Sequence, residues 1–214
     1  MNLHGKKVSF IGDSITEGCG ASEYKNCYVA LFQKAYPDAT IANYGVGGTR
    51  IARQHGANPE LKNDHDFMER AELMQKDADL VVVFGGTNDY GHGNAVMGKL
   101  GANDPYTFYG AMNILFETLI RDNPRAKILI LTPLHRLSEK NVNQNGYILE
   151  DYVKALREMA EEFSFPVLDL FKNSGLNPAK GTVRADYMTD GLHPNDAGYA
   201  RLFELIDTFI KYQL

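Results

Sequence analysis

Strand-length apolar runs alternate along the chain with longer amphipathic stretches, and this alternation restricts the fold more than any other feature. The apolar runs are Lys7–Ile11, Thr40–Asn43, Leu80–Phe84, Lys127–Thr132 and Val167–Leu170. Their Val and Ile content suits strands buried on both faces, as in a parallel sheet. Helices are expected near Asn26–Ala35, Phe67–Lys76, Thr107–Arg121, Val142–Glu162 and Asn195–Tyr212. In the third, Phe108, Ala111, Met112, Leu115, Leu119 and Ile120 form a stripe of helical spacing. In the last, Ala197, Ala200, Leu202, Phe203, Ile206 and Phe209 do the same. Such stripes cover a sheet face and are core, not ligand contacts. The pattern predicts an α/β fold: a three-layer α/β/α sandwich around a central parallel sheet of about five strands, with right-handed crossovers. At 214 residues the chain suits one domain, 1–214.

Composition excludes several classes of function. Twenty-two basic and 27 acidic residues leave a formal charge of −5, with no Lys/Arg cluster, so no nucleic-acid partner is expected. The longest apolar runs fall far short of a membrane span, so no membrane partner is expected either. The N-terminus lacks a signal-peptide pattern, which makes a cytoplasmic location the default expectation. Cys19 and Cys27 cannot build a disulfide framework, although a single bridge between them stays open. His65 sits between Asp64 and Asp66, but adjacent side chains need not converge on a metal.

Three connections, 45–66, 85–106 and 171–195, are longer than turns. In an open parallel sheet, loops that leave the C-terminal ends of strands surround the usual ligand crevice. Four segments place chemistry-bearing residues on or beside such loops. Gly12-Asp13-Ser14 follows the first strand, where Ser14 is either a helix cap or a nucleophile that needs a base. Asn43 through Thr49 carries three glycines in four residues, which permit a tight turn with amides pointing at an anion. It matches neither a phosphate-binding P-loop nor the full dinucleotide fingerprint. Gly85-Gly86-Thr87-Asn88-Asp89 follows the third strand; Asn88 can donate a hydrogen bond, whereas an ionised Asp89 beside it would repel an oxyanion. Asp190-Gly191-Leu192-His193-Pro194 precedes the last helix, with Asp190 and His193 able to converge if Gly191 turns the backbone. Each segment alone also reads as an ordinary turn or cap. Together they supply a nucleophile, oxyanion donors, a base and its orienter.

These four segments, in this order, resemble the SGNH, or GDSL-type, hydrolase family. Ile15 is a minor apolar exchange in that pattern, and the GxSxG elbow of other serine hydrolases is absent around Ser14. The resemblance implies a flavodoxin-like sandwich. It implies Ser14 as nucleophile, His193 as base and Asp190 as its partner. Ser14, Gly48 and Asn88 would form the oxyanion hole, and no metal or other cofactor would be needed. Family members cleave acetyl esters on sugars, or longer acyl esters and thioesters.

The segment between Tyr90 and Tyr106 is polar, and Arg50, His55, Asn58, His92, His135 and Arg136 are candidates to extend a polar wall. Arg50, His92 and His135 are the tentative substrate-binding residues. A small acyl group, acetyl above all, on a carbohydrate is therefore the leading substrate, with a small-molecule or oligosaccharide ester as the partner. The alternatives are a short-chain lipid esterase, lysophospholipase or thioesterase, and a noncatalytic glycan-binding module on the same fold. The polar insertion Lys99–Asp104 either meets another subunit of a homo-oligomer or shields the site.

Overall fold

Five strands pair in parallel in the order β2-β1-β3-β4-β5 in the computed structural model, which describes residues 1–214. They are β1 (Lys7–Gly12), β2 (Thr40–Gly45), β3 (Leu80–Phe84), β4 (Lys127–Leu131) and β5 (Val167–Leu168). Nine helices connect and flank them: α1 (Ser14–Glu17), α2 (Tyr28–Ala35), α3 (Phe67–Glu72), α4 (Thr87–Gly91), α5 (Phe108–Asp122), α6 (Leu149–Glu162), α7 (Leu170–Asn173), α8 (Val183–Tyr187) and α9 (Asp196–Gln213). This is the flavodoxin-like strand order, which reverses direction between β1 and β3 and opens a crevice there.

The period-two geometry of the strands splits the core into two layers. Ile11, Val81, Val83, Ile128 and Ile130 face one side, where they meet Phe67, Phe108, Leu115, Tyr152 and Leu156 of α3, α5 and α6. Val8, Phe10, Leu80, Val82, Phe84, Leu129 and Leu131 face the other, against Tyr28 and Phe32 of α2 and Tyr199, Leu202 and Ile206 of α9. Burial on both faces holds for β3, whose five residues are all buried. It fails for β2, the edge strand, which is half-buried over most of its length because only one flank is paired.

Several expected boundaries shift for identifiable reasons. The helix expected from Val142 starts at Leu149. The Asn143 side chain accepts from the amides of Asn145 and Tyr147 and donates to the Tyr90 carbonyl, which folds this stretch as a loop. Asp151 then closes the first turn by accepting from the Ile148 amide at 3.0 Å. The last strand stops at Leu168, because Asp169 accepts from the Lys172 amide and caps α7. Helix α3 ends at Glu72, short of the expected Lys76. Ile120 turns out of its stripe and is 39% exposed, while Phe108, Ala111, Met112, Leu115 and Leu119 are buried. In α9, Ala197 and Ala200 face outward, while Tyr199, Leu202, Ile206 and Ile210 are fully buried.

Tyr199 ties this last helix to the residues after β1. Its hydroxyl lies 2.6 Å from the Cys19 carbonyl and 3.0 Å from the Ile15 carbonyl, sharing one proton between them. Tyr199→Phe removes that donor while keeping the ring, and a buried acceptor left unpaired costs about 1–3 kcal/mol. Urea denaturation of the variant should show a loss of that size with an unchanged m-value.

Candidate active site

The register of the sheet brings three strand ends to one level: Gly12 of β1 pairs with Gly45 of β2 and with Phe84 of β3. Three of the four chemistry-bearing segments therefore leave the sheet side by side. After β1 the chain enters α1 at once. Asp13, not Ser14, is the N-cap: its Oδ1 accepts from the Ile15 amide at 3.0 Å. Ser14 thus becomes the first helical residue, 8% exposed, with its side chain free of the capping bond.

The end of β2 packs directly on the α1 backbone. A Cβ on Gly45 would lie 2.2 Å from the Glu17 nitrogen, so only glycine permits this approach. Asn43 donates to the Thr16 carbonyl at 2.8 Å, and Glu17 Oε2 accepts from the Gly47 amide at 2.8 Å. The chain then turns through Gly48 at φ +79°, a left-handed conformation that favours glycine. Below this turn, Arg70 of α3 donates to the Tyr44 carbonyl at 2.6 Å and to the Gly12 carbonyl at 3.0 Å. Sequence reading passed over Arg70, yet it carried a signal: a lone base on the same helical face as Phe67 and Ala71, both buried.

The fourth segment arrives from 179 residues away. His193 Nε2 lies 2.9 Å from Ser14 Oγ, and His193 Nδ1 lies 2.6 Å from Asp190 Oδ2. Gly191 turns at φ +79°, and Asp190 Oδ1 accepts from the amides of Leu192 at 2.8 Å and His193 at 2.7 Å. Burial alone would raise the Asp190 carboxyl. The His193 ring and the two amides outweigh it and hold the group below the usual carboxylate range. The imidazole therefore presents Nδ1–H to a carboxylate and leaves Nε2 able to accept the serine proton.

Donors for a developing negative charge are present. The backbone N–H groups of Ser14 and Gly48 have no hydrogen-bond partner within the protein. Asn88, buried in α4, donates one amide hydrogen to the Thr49 carbonyl at 3.0 Å and keeps a second hydrogen free. Asp89, which the sequence set beside Asn88 as a source of repulsion, turns away. Its carboxylate accepts from the Ile51 and Ala52 amides at 3.0 and 2.9 Å.

The tentative substrate-binding residues are not gathered into one polar wall. Arg50 is buried, donating to Asp64 at 2.8 Å and to His92 Nδ1 at 3.2 Å. Both ring nitrogens of His92 are occupied, so neither residue is a free ligand; they stand behind Asn88. His135 pairs with Glu139 at 2.8 Å and lies over Phe171. It lines a separate surface cavity of about 460 Å³ with Arg136, Asn177 and Lys180. His55 stacks on Tyr106, and the Asn58 amide donates to Asp64. Asp64, His65 and Asp66 diverge, toward Arg50, Glu69 and Arg53 respectively. Cys19 and Cys27 are free thiols. No helix is long and apolar enough to cross a membrane.

Comparison with known proteins agrees with this fold. A family model described as GDSL-like Lipase/Acylhydrolase matches residues 10–201. An acetylxylan esterase of Xylanibacter ruminicola is 27% identical over 223 residues, a match covering 96% of this chain. The chain spans 43% of the length of that relative. A solved structure from Lactobacillus plantarum is 27% identical, covers the whole of both chains and superposes with a TM-score of 0.85. Another solved chain is 32% identical, with 99% of this chain and 98% of that chain covered and a TM-score of 0.87.

Burial pushes the Asp13 carboxyl up to about 6, against the opposing pull of the Ile15 amide, His193, Arg70 and Arg136. A raised carboxyl binds more protons folded than unfolded, so its contribution to stability is present at low pH and lost as pH rises through about 6. Asp13→Asn keeps a capping side chain and removes this titration. The stability of the wild type relative to the variant should therefore fall by roughly 2 kcal/mol between pH 4 and pH 7. Urea midpoints at the two pH values measure it, and an equal difference at both contradicts the assignment.

Proposed function

The chain belongs to the GDSL-like lipase/acylhydrolase family of ester hydrolases, and from that premise we propose that it is a serine esterase releasing small acyl groups, acetyl above all, from carbohydrate. One observation carries the reading: His193 bridges Ser14 and Asp190 at 2.9 and 2.6 Å, with three donors left over for an oxyanion. The similarity to an acetylxylan esterase supports acetylated carbohydrate as the substrate class. So does a polar neighbour of the site: the Asn63 side chain lies beside Gly48, 3.5 Å from where a Cβ would stand.

In this proposal His193 Nε2 takes the Ser14 proton as Oγ attacks the acyl carbonyl carbon. The carbonyl oxygen becomes an oxyanion that receives the Ser14 and Gly48 amides and the free hydrogen of Asn88. Such donors act on charge that exists only at the transition state, so the loss of one costs about 3 kcal/mol. Protonated His193 then gives its proton to the departing alcohol oxygen, leaving acyl-Ser14. Water, deprotonated by His193, attacks that ester and restores the serine. Asp190 keeps Nδ1–H fixed and stabilises the imidazolium without taking the proton.

Hydrolysis of aryl acetate, butyrate and octanoate and of acetylated xylo-oligosaccharides tests the reading, with Ser14→Ala and Asp190→Asn in parallel. Acetate should be the preferred aryl ester, and the oligosaccharide should be deacetylated. Ser14→Ala should abolish both activities and block labelling by a fluorophosphonate, and Asp190→Asn should lower kcat by about 10⁴. An octanoate preference would move the assignment to lipid or thioester substrates. Absence of any Ser14-dependent turnover would return the fold to a binding role.

A further inference from the structure

Asn88 does not hold its orientation alone. Its Oδ1 lies 3.1 Å from His92 Nε2, and its Nδ2 lies 3.0 Å from the Thr49 carbonyl. On the far side of the imidazole, His92 Nδ1 lies 3.2 Å from Arg50 Nη1. A guanidinium can only donate, so Nδ1 must carry the lone pair and the ring proton must sit on Nε2. That proton is then directed at Asn88 Oδ1. The opposite orientation of the Asn88 amide is excluded twice over. It would set the amide nitrogen against a ring N–H and the amide oxygen against the Thr49 carbonyl.

Arg50 is itself held. It is buried, and its second nitrogen donates to Asp64 at 2.8 Å. Hydrogen bonds thus run from Asp64 through Arg50 and His92 to Asn88 without an unmatched donor or acceptor. Partial burial and the neighbouring guanidinium groups of Arg50 and Arg136 push the His92 ring below its ordinary range, against the opposing pull of Asp64 and of a backbone hydrogen bond. That direction is the one the hydrogen-bond pattern requires, since a ring that accepts from Arg50 at Nδ1 is neutral.

We infer that His92, its tautomer dictated by Arg50, is a positioning residue that locks the Asn88 amide with its free hydrogen toward the acyl oxygen. The inference rests on the proposed role of Asn88 as an oxyanion donor. His92 touches no reacting atom in this account. It acts by removing the rotational freedom of the donor, which would otherwise have to be restricted at the transition state.

A double-mutant cycle on aryl acetate hydrolysis separates the two claims. Asn88→Ala should lower kcat by about 100-fold or more. Should it lower kcat less than threefold, the oxyanion role of Asn88 falls, and the relay with it. His92→Phe removes both nitrogens and should lower kcat about tenfold with KM unchanged, while in the Asn88→Ala background it should cost less than twofold. An equal cost in both backgrounds overturns the relay and leaves the role of Asn88 standing. His92→Gln restores an acceptor for Arg50 and a donor for Asn88, and should recover most of the activity lost in His92→Phe. It also guards against a folding defect in the phenylalanine variant. Finally, ¹⁵N-histidine spectra of the intact protein, assigned by loss of the His92 signal in His92→Gln, should show a protonated Nε2 and a bare Nδ1. The opposite tautomer overturns the inference.

Discussion

The close approach of the β2 end to the first turn of α1 is the constraint on which the rest of the site depends. Two backbone segments meet there with no side chain between them, because position 45 is glycine. Arg70 reinforces the contact from beneath by donating to one carbonyl at the end of each strand. With the two segments joined, Glu17 can reach the Gly47 amide, and Gly47 comes to rest against the Ser14 side chain, one residue before the left-handed turn at Gly48. Hydrogen bonds and the glycine contact thus tie the serine turn, the glycine turn and the support beneath them into one unit. The proposed reaction at Ser14 would draw on such ties, since donors aimed at an oxyanion are effective only if they need no rearrangement.

Charge is distributed around this unit in two different ways. Asp13 and Asp89 are buried, and both are pushed up to about 6 by loss of solvent. Asp13 gives one oxygen to the Ile15 amide and Asp89 gives both to the Ile51 and Ala52 amides, so they organise loops. Asp190 is more exposed and accepts from three donors, which keep it ionised. In the proposed reaction it is the carboxylate that stabilises a charge appearing on His193 only transiently. Acidic groups of one type thus divide into scaffold and partner according to their solvation.

Much of the fold was legible because its signals are local. β3 begins and ends where its apolar run does, and α2 and α5 lie within two residues of their expected starts. Apolar spacing reports the element and the buried face within a few residues of chain. Departures arose where a polar side chain outcompeted apolar periodicity. Asn143 gathered the backbone around itself and delayed α6, and Asp169 capped a helix in place of further strand. The candidate site divides in the same manner. Ser14, Asp190 and His193 stood out as residue types in recognisable segments. Arg50 and His92, set down as polar wall, are spent on one another and on Asn88 and Asp64.

By itself the sequence determined the five strands, five of the nine helices, the burial of the central strand on both faces and the four segments at which chemistry could occur. These follow from periodicity and turn chemistry, which act over a few residues. Tertiary structure alone decided which segments meet and which side chains are spent in meeting. His193 reaches Ser14 across 179 residues, Arg70 reaches Gly12 across 58, and Arg50 reaches His92 across 42. A hydrogen bond is directional and short, so its partner is fixed by strand register and helix packing, not by distance along the chain.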